Sequence, residues 1–172
     1  MTKTELLAAM LAVCCVGCKP EMEDDLTPQL VAQIKIEVAA NVDSIVTRLN
    51  RLDDAGTLAY YADTPDFILL GVDGVRFDAA GLRKATQDFV SGAASNLIKT
   101  KVVDCKVQTS DLAICAWQGD QVTTMKNGDK LTFGPDAVTL IFKRVGGAWK
   151  VIYSHESATI ATTPAAKAKG KK

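Results

Sequence analysis

The last apolar segment of the chain carries the residues best suited to chemistry. It is rich in β-branched and aromatic residues, which favour a β-strand. Because strand side chains alternate between two faces, one face carries Trp149, Val151, Tyr153, His155 and Ser157. This face begins apolar and ends in a phenol, an imidazole and a hydroxyl group. We therefore predict that it forms one wall of a ligand pocket.

His155 is the only histidine of the chain and the only side chain whose ordinary pKa lies near neutrality. It is a candidate general acid or base, or a hydrogen-bonding partner for a ligand. The alternative is a structural histidine that bonds to the backbone or to Ser157. A single histidine and the lack of paired Cys-x-x-Cys motifs argue against a zinc site, so neither a metal nor another cofactor is expected.

Composition indicates one globular domain with no nucleic-acid partner. The 172 residues are enough for a substantial core, and 48% of them are hydrophobic. Twenty basic residues balance 20 acidic residues, so the chain has no net positive charge to attract nucleic acid.

The N-terminus has the pattern of a secretory signal. Lys3 precedes a short apolar run, which is too short to span a bilayer. The run ends in Val16-Gly17-Cys18, which resembles the bacterial lipobox. We predict a signal peptide over residues 1–17, lipidation of Cys18 and a polar tether over residues 18–29. The alternative is a buried helix over the first 18 residues. The predicted address is the bacterial envelope, lipid-anchored and facing the periplasm, with the outer membrane favoured by Lys19 after the cysteine.

Two further cysteines lie in the body of the chain, and an oxidising compartment would allow them to pair. Cys105 and Cys115 flank a predicted hairpin. A three-residue turn over residues 109–111 places them directly opposite each other, whereas a two-residue turn places Cys105 opposite Ala116. The alternative to a disulfide is two small buried residues.

Periodicity predicts three helices. Apolar residues recur every 3 to 4 positions after Thr27-Pro28, which favours a long amphipathic helix over residues 28–50. We expect a short helix over residues 57–62. Asp78 is a good N-cap for a third helix over residues 79–93.

Strand signals fill the rest of the chain. Residues 66–71 and 75–77 form a short hairpin around Asp73-Gly74, and the last four segments form an antiparallel meander. A bulge or bend is expected at Gly134-Pro135. The order predicts an α+β domain over residues 30–160, with a curved antiparallel sheet wrapped around N-terminal helices to form a cone. A disordered tail rich in Lys and Ala is expected over residues 161–172.

This order and spacing resemble the nuclear transport factor 2-like superfamily, specifically its SnoaL-like branch. The resemblance covers residues 30–160 and rests on Leu58-Ala-Tyr60-Tyr61 before Asp66, the Gly71 to Gly74 hairpin, Ala113 after Ser110-Asp111, Gly128, and the ending from Phe142 through Trp149 and His155 to Ser157. It implies the cone, a pocket between sheet and helices, and a homodimer formed through the sheet.

The same resemblance leaves three functions open. The first is a lipoprotein that binds a small, mostly apolar molecule, with candidate contacts at Tyr61, Phe89, Trp117, Tyr153, His155 and Ser157. The second is an isomerase, dehydratase or cyclase that uses His155 with Tyr60 or Asp66 as catalytic candidates. The third is a dimeric assembly module with a filled cone and no catalysis.

Overall fold

The computed structural model describes residues 26–165. The predicted signal peptide, Cys18 and most of the predicted tether lie outside the described residues. Of the helices inside this range, none has the length and apolar character needed to cross a membrane.

Helix α1, Pro28–Asn50, lies along the inside of the sheet and supplies much of the core. The Thr27 side chain caps it by accepting a hydrogen bond of 3.2 Å from the backbone N–H of Leu30. The side chains that α1 buries recur every 3 to 4 residues, as its sequence predicts: Ile34, Val38, Val42 and Ile45.

The second helix begins earlier than predicted, whereas the third lies where its sequence places it. Helix α2 spans Asp54–Leu58 and not residues 57–62, because the Asp53 side chain accepts from the Gly56 N–H at 2.8 Å and starts the helix there. Helix α3 spans Ala79–Gly92, and Asp78 caps it.

Six strands form one sheet. They span Ile68–Leu70 (β1), Arg76–Phe77 (β2), Ala93–Thr109 (β3), Leu112–Met125 (β4), Lys130–Val145 (β5) and Ala148–Thr163 (β6). Their order in the sheet is β2-β1-β6-β5-β4-β3, and all neighbours are antiparallel except β1 and β6, which run parallel. The sheet is curved and unclosed, with α1 packed against its inner face, so the predicted α+β cone is confirmed.

Strand β6 is longer than the sequence suggested. Its residues 161–163 pair with residues 130–132 of β5. The expectation of disorder from residue 161 is therefore wrong for these three residues, because the partner strand offers them a complete backbone ladder. The rest of the predicted tail lies largely beyond residue 165 and outside the described residues.

The hairpin between β3 and β4 joins Cys105 to Cys115 by a disulfide, with Cα atoms 4.1 Å apart. Its turn has only two residues, Ser110 and Asp111, because Thr109 pairs with Leu112. The register shift between residues 107 and 109 adds one residue to β3. This bulge restores the pairing that a three-residue turn would have given.

Candidate ligand-binding site

The cone contains two adjoining cavities between the helices and the inner face of the sheet. The deeper cavity, about 90 Å³, lies under α1, and the wider one, about 460 Å³, lies under α3 and the β1–β2 hairpin. Four residues line both of them: Leu49, Gln121, Asp136 and Glu156. The interior is thus divided into two apolar compartments that meet at an amide and two carboxyl groups.

A bulge in β6 decides which of its side chains face this interior. Tyr153 pairs with Ile141, but Val151 pairs with Phe142, so Ile152 is left without an opposite residue. An extra residue reverses the alternation of faces beyond it. Consequently Trp149 and Val151 point inward before the bulge, and Ser154 and Glu156 point inward after it.

The prediction that the end of β6 forms a pocket wall through Tyr153, His155 and Ser157 is therefore wrong. His155 and Ser157 are exposed on the outer face, and half-buried Tyr153 lies on that face too, beside β1. None of the three lines either cavity. The prediction assumed unbroken alternation from Trp149 to Ser157, and the bulge breaks it.

The predicted catalytic group is not brought together. Tyr60 lines a separate groove, together with Glu37, Arg144 and Trp149. Asp66 is exposed before β1. Neither residue lines the two cavities that Glu156 faces, and His155 lies on the outer face of the sheet.

Three other predicted contact residues do line the interior. Tyr61 and Trp117 line the deeper cavity, and Phe89 lines the wider one. The Trp117 indole is fixed because its Nε1–H donates to Thr100 Oγ1 at 3.0 Å. The Tyr61 ring is held edge-on against Phe67, with ring centroids 6.0 Å apart. Aromatic walls are thus present on the side of α1 and on the side of α3.

The sequence analysis did not predict the polar groups at the junction, Gln121, Asp136 and Glu156. Asp136 follows Gly134-Pro135, whose backbone bend is accompanied by a register shift between residues 133 and 136 of β5. Val138 pairs with Glu156, so Asp136 and Glu156 are diagonal neighbours on adjacent strands. The Gly-Pro signal marked the bend, but nothing in the sequence marked the bulge that turns Glu156 inward.

Gln121 is held in place by a buried polar network. Its Nε2 donates to Asn96 Oδ1 at 3.0 Å and to Thr123 Oγ1 at 3.1 Å. The Thr123 hydroxyl donates to the same Asn96 oxygen at 2.7 Å, and Asn96 in turn donates to the Leu49 carbonyl at 3.3 Å. The network ties the end of α1 to β3 and β4 and gives the junction a rigid floor.

Burial and like charge raise the pKa values of the acidic groups at the junction. Burial, and then the negative charges of Asp136 and Asp73, raise the pKa of Glu156 to about 7. Burial also raises the pKa of Asp136, against a hydrogen bond from the Ala137 backbone. The pKa of the Tyr61 phenol is raised by burial and by Glu156, so this hydroxyl stays protonated.

The arrangement can hold an apolar molecule and exchange a proton with it. Within residues 26–165, no group of three or more His, Cys, Asp or Glu side chains is placed to hold a metal ion. The side chains at the junction can supply hydrogen bonding, charge pairing and proton transfer, the last by Glu156 and Asp136.

Comparison with known sequences gives a family but no activity. A family model described as a protein of unknown function, DUF3804, matches residues 38–163. No curated protein matches the chain at a significant level.

Several solved structures of differently named proteins share the fold. A provisionally named scytalone dehydratase from Novosphingobium aromaticivorans has a TM-score of 0.68 at 10% identity, covering 85% of this chain and 99% of that chain. A type 2 hexachlorocyclohexane dehydrochlorinase has a TM-score of 0.64 at 9% identity, covering 82% and 95%. A nuclear transport factor 2-like superfamily protein from Salmonella enterica serovar Typhimurium has 0.62 at 12% identity, covering 82% and 98%. The predicted nuclear transport factor 2-like fold is confirmed.

Proposed function

Because the chain belongs to the DUF3804 family, whose description assigns no activity, we propose a function from the cavity itself. The protein binds a small, mostly apolar molecule inside the cone. The observation that carries the proposal is the cavity of about 460 Å³ under α3, which adjoins the deeper one at Gln121, Asp136 and Glu156. A concave apolar space with a few convergent polar groups is the usual form of a ligand site.

A fluorescent apolar probe tests this proposal. N-phenylnaphthylamine is neutral, and its emission rises in apolar surroundings. Ala85 of α3 lines the wider cavity, whereas Ala80 of the same helix is exposed. Ala85→Trp should fill the cavity and weaken probe binding at least tenfold, and Ala80→Trp should bind like the parent. Equal binding by a folded Ala85→Trp variant would place the probe elsewhere and refute the proposal.

The second candidate is an enzyme of the isomerase or lyase type that uses Glu156 for proton transfer. The observation that favours it is the pKa of Glu156, about 7, because a general acid or base works best when its pKa lies near the working pH. Two structures with this fold are named as a dehydratase and a dehydrochlorinase. A substrate whose turnover is lost in Glu156→Gln, while probe binding is retained, would support the enzyme.

We also propose that the protein is an envelope lipoprotein anchored through Cys18, with the outer membrane favoured. The support is the sequence Val16-Gly17-Cys18 after a short apolar run. Growth with a tagged fatty acid should label the parent but not Cys18→Ser. Labelling of the variant, or an intact N-terminal segment in the mature parent, would contradict this address.

A homodimer formed through the outer face of the sheet is the remaining proposal. Leu97 and Val122 are cross-strand neighbours and remain 51% and 38% exposed. Val102 on β3 is 47% exposed. Light scattering should give a dimer mass for the parent and a monomer mass for Val122→Lys. A monomeric parent at high concentration would contradict the proposal.

A further inference from the structure

The side chains that line the two cavities are either acidic or uncharged. Asp136 and Glu156 line both of them, and Asp73 lines the wider one. Among the described residues, neither lining includes a Lys, Arg or His side chain. The interior therefore has carboxyl groups without the counter-charge that buried carboxylates normally have.

Asp136 is the most confined of these groups. Its side chain is only 8% exposed, and its Oδ1 atom is buried without a hydrogen-bond partner in the part of the chain that the structure describes. An unpaired buried acceptor is costly unless a ligand supplies a donor or a positive charge. Because Asp136 lines both cavities, such a ligand group would lie at their junction.

Glu156 lacks a partner as well. Within residues 26–165 its side chain has no hydrogen bond and no ion pair, although six acidic side chains elsewhere do pair with Lys or Arg. Because Glu156 faces the interior, its carboxyl group lacks both an ion-pair partner and the full solvation of a surface carboxylate. A single positive group at the junction would meet both carboxyl groups, since the two are diagonal neighbours.

Aromatic side chains line both of the compartments that meet at this junction. Tyr61 and Trp117 line the deeper cavity, and Phe77, Phe89 and Phe133 line the wider one. The faces of aromatic rings attract cations, and they also accept apolar substituents. The combination of carboxyl groups, aromatic rings and apolar walls is suited to an alkylated ammonium group.

We propose that the ligand of the cone is an organic cation, with a substituted ammonium group at Asp136 and Glu156 and apolar groups in one or both compartments. This inference rests on the proposed ligand-binding function and names the chemical class of the ligand. A neutral carbonyl compound or an anion would gain less, because each would leave the carboxyl charges without compensation.

Two probes of nearly equal shape isolate the charge. Benzyltrimethylammonium and neopentylbenzene differ by a quaternary nitrogen in place of a quaternary carbon. Each is measured at pH 8 by displacement of N-phenylnaphthylamine from the full chain. We expect the cation to bind at least tenfold more tightly than the neutral compound. In the double variant Asp136→Asn, Glu156→Gln this preference should fall to about twofold or less, whereas Asp66→Asn, which removes an exposed carboxylate, should keep it.

The pH dependence of the parent gives a second readout that needs no variant. The titratable groups around Glu156 are Asp73, Asp136 and Tyr61, and α1 and α3 contribute none to the linings. Raising the pH adds only negative charge to these groups. Because the pKa of Glu156 is about 7, affinity for the quaternary cation should rise at least fivefold from pH 5 to pH 8. Affinity for the neutral compound should stay within twofold.

The outcomes separate this inference from the proposed function. Equal affinity of the two probes in the parent, or a preference that survives the double variant, would overturn the organic cation. The neutral naphthylamine probe would still bind, so ligand binding in the cone would stand. If the naphthylamine itself failed to bind, the proposed function and this inference would both be refuted.

Discussion

Replacing Glu156 by Gln removes a titrating group from the interior and retains its shape. The carboxyl pKa is raised from 4.5 to about 7, so between these pH values the folded protein holds a proton that the unfolded chain has released. The stability that this group contributes is therefore fully present below pH 4.5 and is lost as the pH rises through 7. Glutamine has no such dependence.

The size of the effect follows from the same two values. A rise from 4.5 to about 7 corresponds to about 3 kcal/mol of unfolding free energy. Of this, roughly 2–3 kcal/mol falls between pH 5 and pH 8. The parent should therefore lose roughly 2–3 kcal/mol relative to Glu156→Gln over this interval, and the variant should be the more stable protein at pH 8. Carboxyl groups far from Glu156 titrate alike in both proteins and cancel in the comparison.

Urea unfolding followed by tryptophan fluorescence measures this difference at each pH. Asp66→Asn, which removes an exposed carboxylate, controls for the change in net charge. A stability difference between parent and Glu156→Gln that is the same at pH 5 and pH 8 would refute the raised pKa of Glu156. A variant less stable than the parent at pH 8 would refute it too, since that would mean that the Glu156 carboxylate is stabilised in the fold.

Three further substitutions test other parts of the account. His155→Ala should leave affinity for N-phenylnaphthylamine within twofold of the parent, because this exposed side chain lies outside both cavities; a larger loss would contradict the outward orientation of the residue. Cys105→Ser should lower the free energy of unfolding by roughly 2–3 kcal/mol, because the disulfide closes a loop of 10 residues, and an unchanged urea midpoint would show that the bond is dispensable. Gly119→Ala should lower the free energy of unfolding by roughly 1–3 kcal/mol and shift the fluorescence of Trp117, because a Cβ atom there collides with the Lys99 carbonyl and the Trp117 indole. An unchanged emission spectrum and an unchanged urea midpoint would refute the predicted collision.

Helices α1 and α3, the short hairpin and the final antiparallel meander could be predicted because their signals are local. The apolar period of α1, the cap at Asp78 and the turn at Asp73-Gly74 each specify their own structure without distant contacts. The boundaries of α2 were harder to predict, because Asp53 and Thr57 can each serve as the N-cap of a helix. Only the capping geometry of the folded chain selects Asp53.

The site was harder to predict than the fold because it depends on bulges. Gly134-Pro135 predicts one of them, since proline has no backbone N–H to donate to the strand ladder. Ile152 gives no such signal, because a β-branched residue is ordinary in a regular strand. Because of the extra residue at Ile152, Glu156 faces the interior where His155 was predicted to face it. The side chain available for chemistry is therefore a carboxyl group and not an imidazole.

Native mass spectrometry of gently purified protein tests the central claim most directly, that the cone holds a small molecule. The parent and Ala80→Trp should each carry a discrete added mass that leaves on collisional activation, whereas Ala85→Trp should have only the mass of its chain. An added mass that Ala85→Trp retains would place the molecule outside the cone. Bare chain masses for all three proteins would contradict a ligand held in the cone.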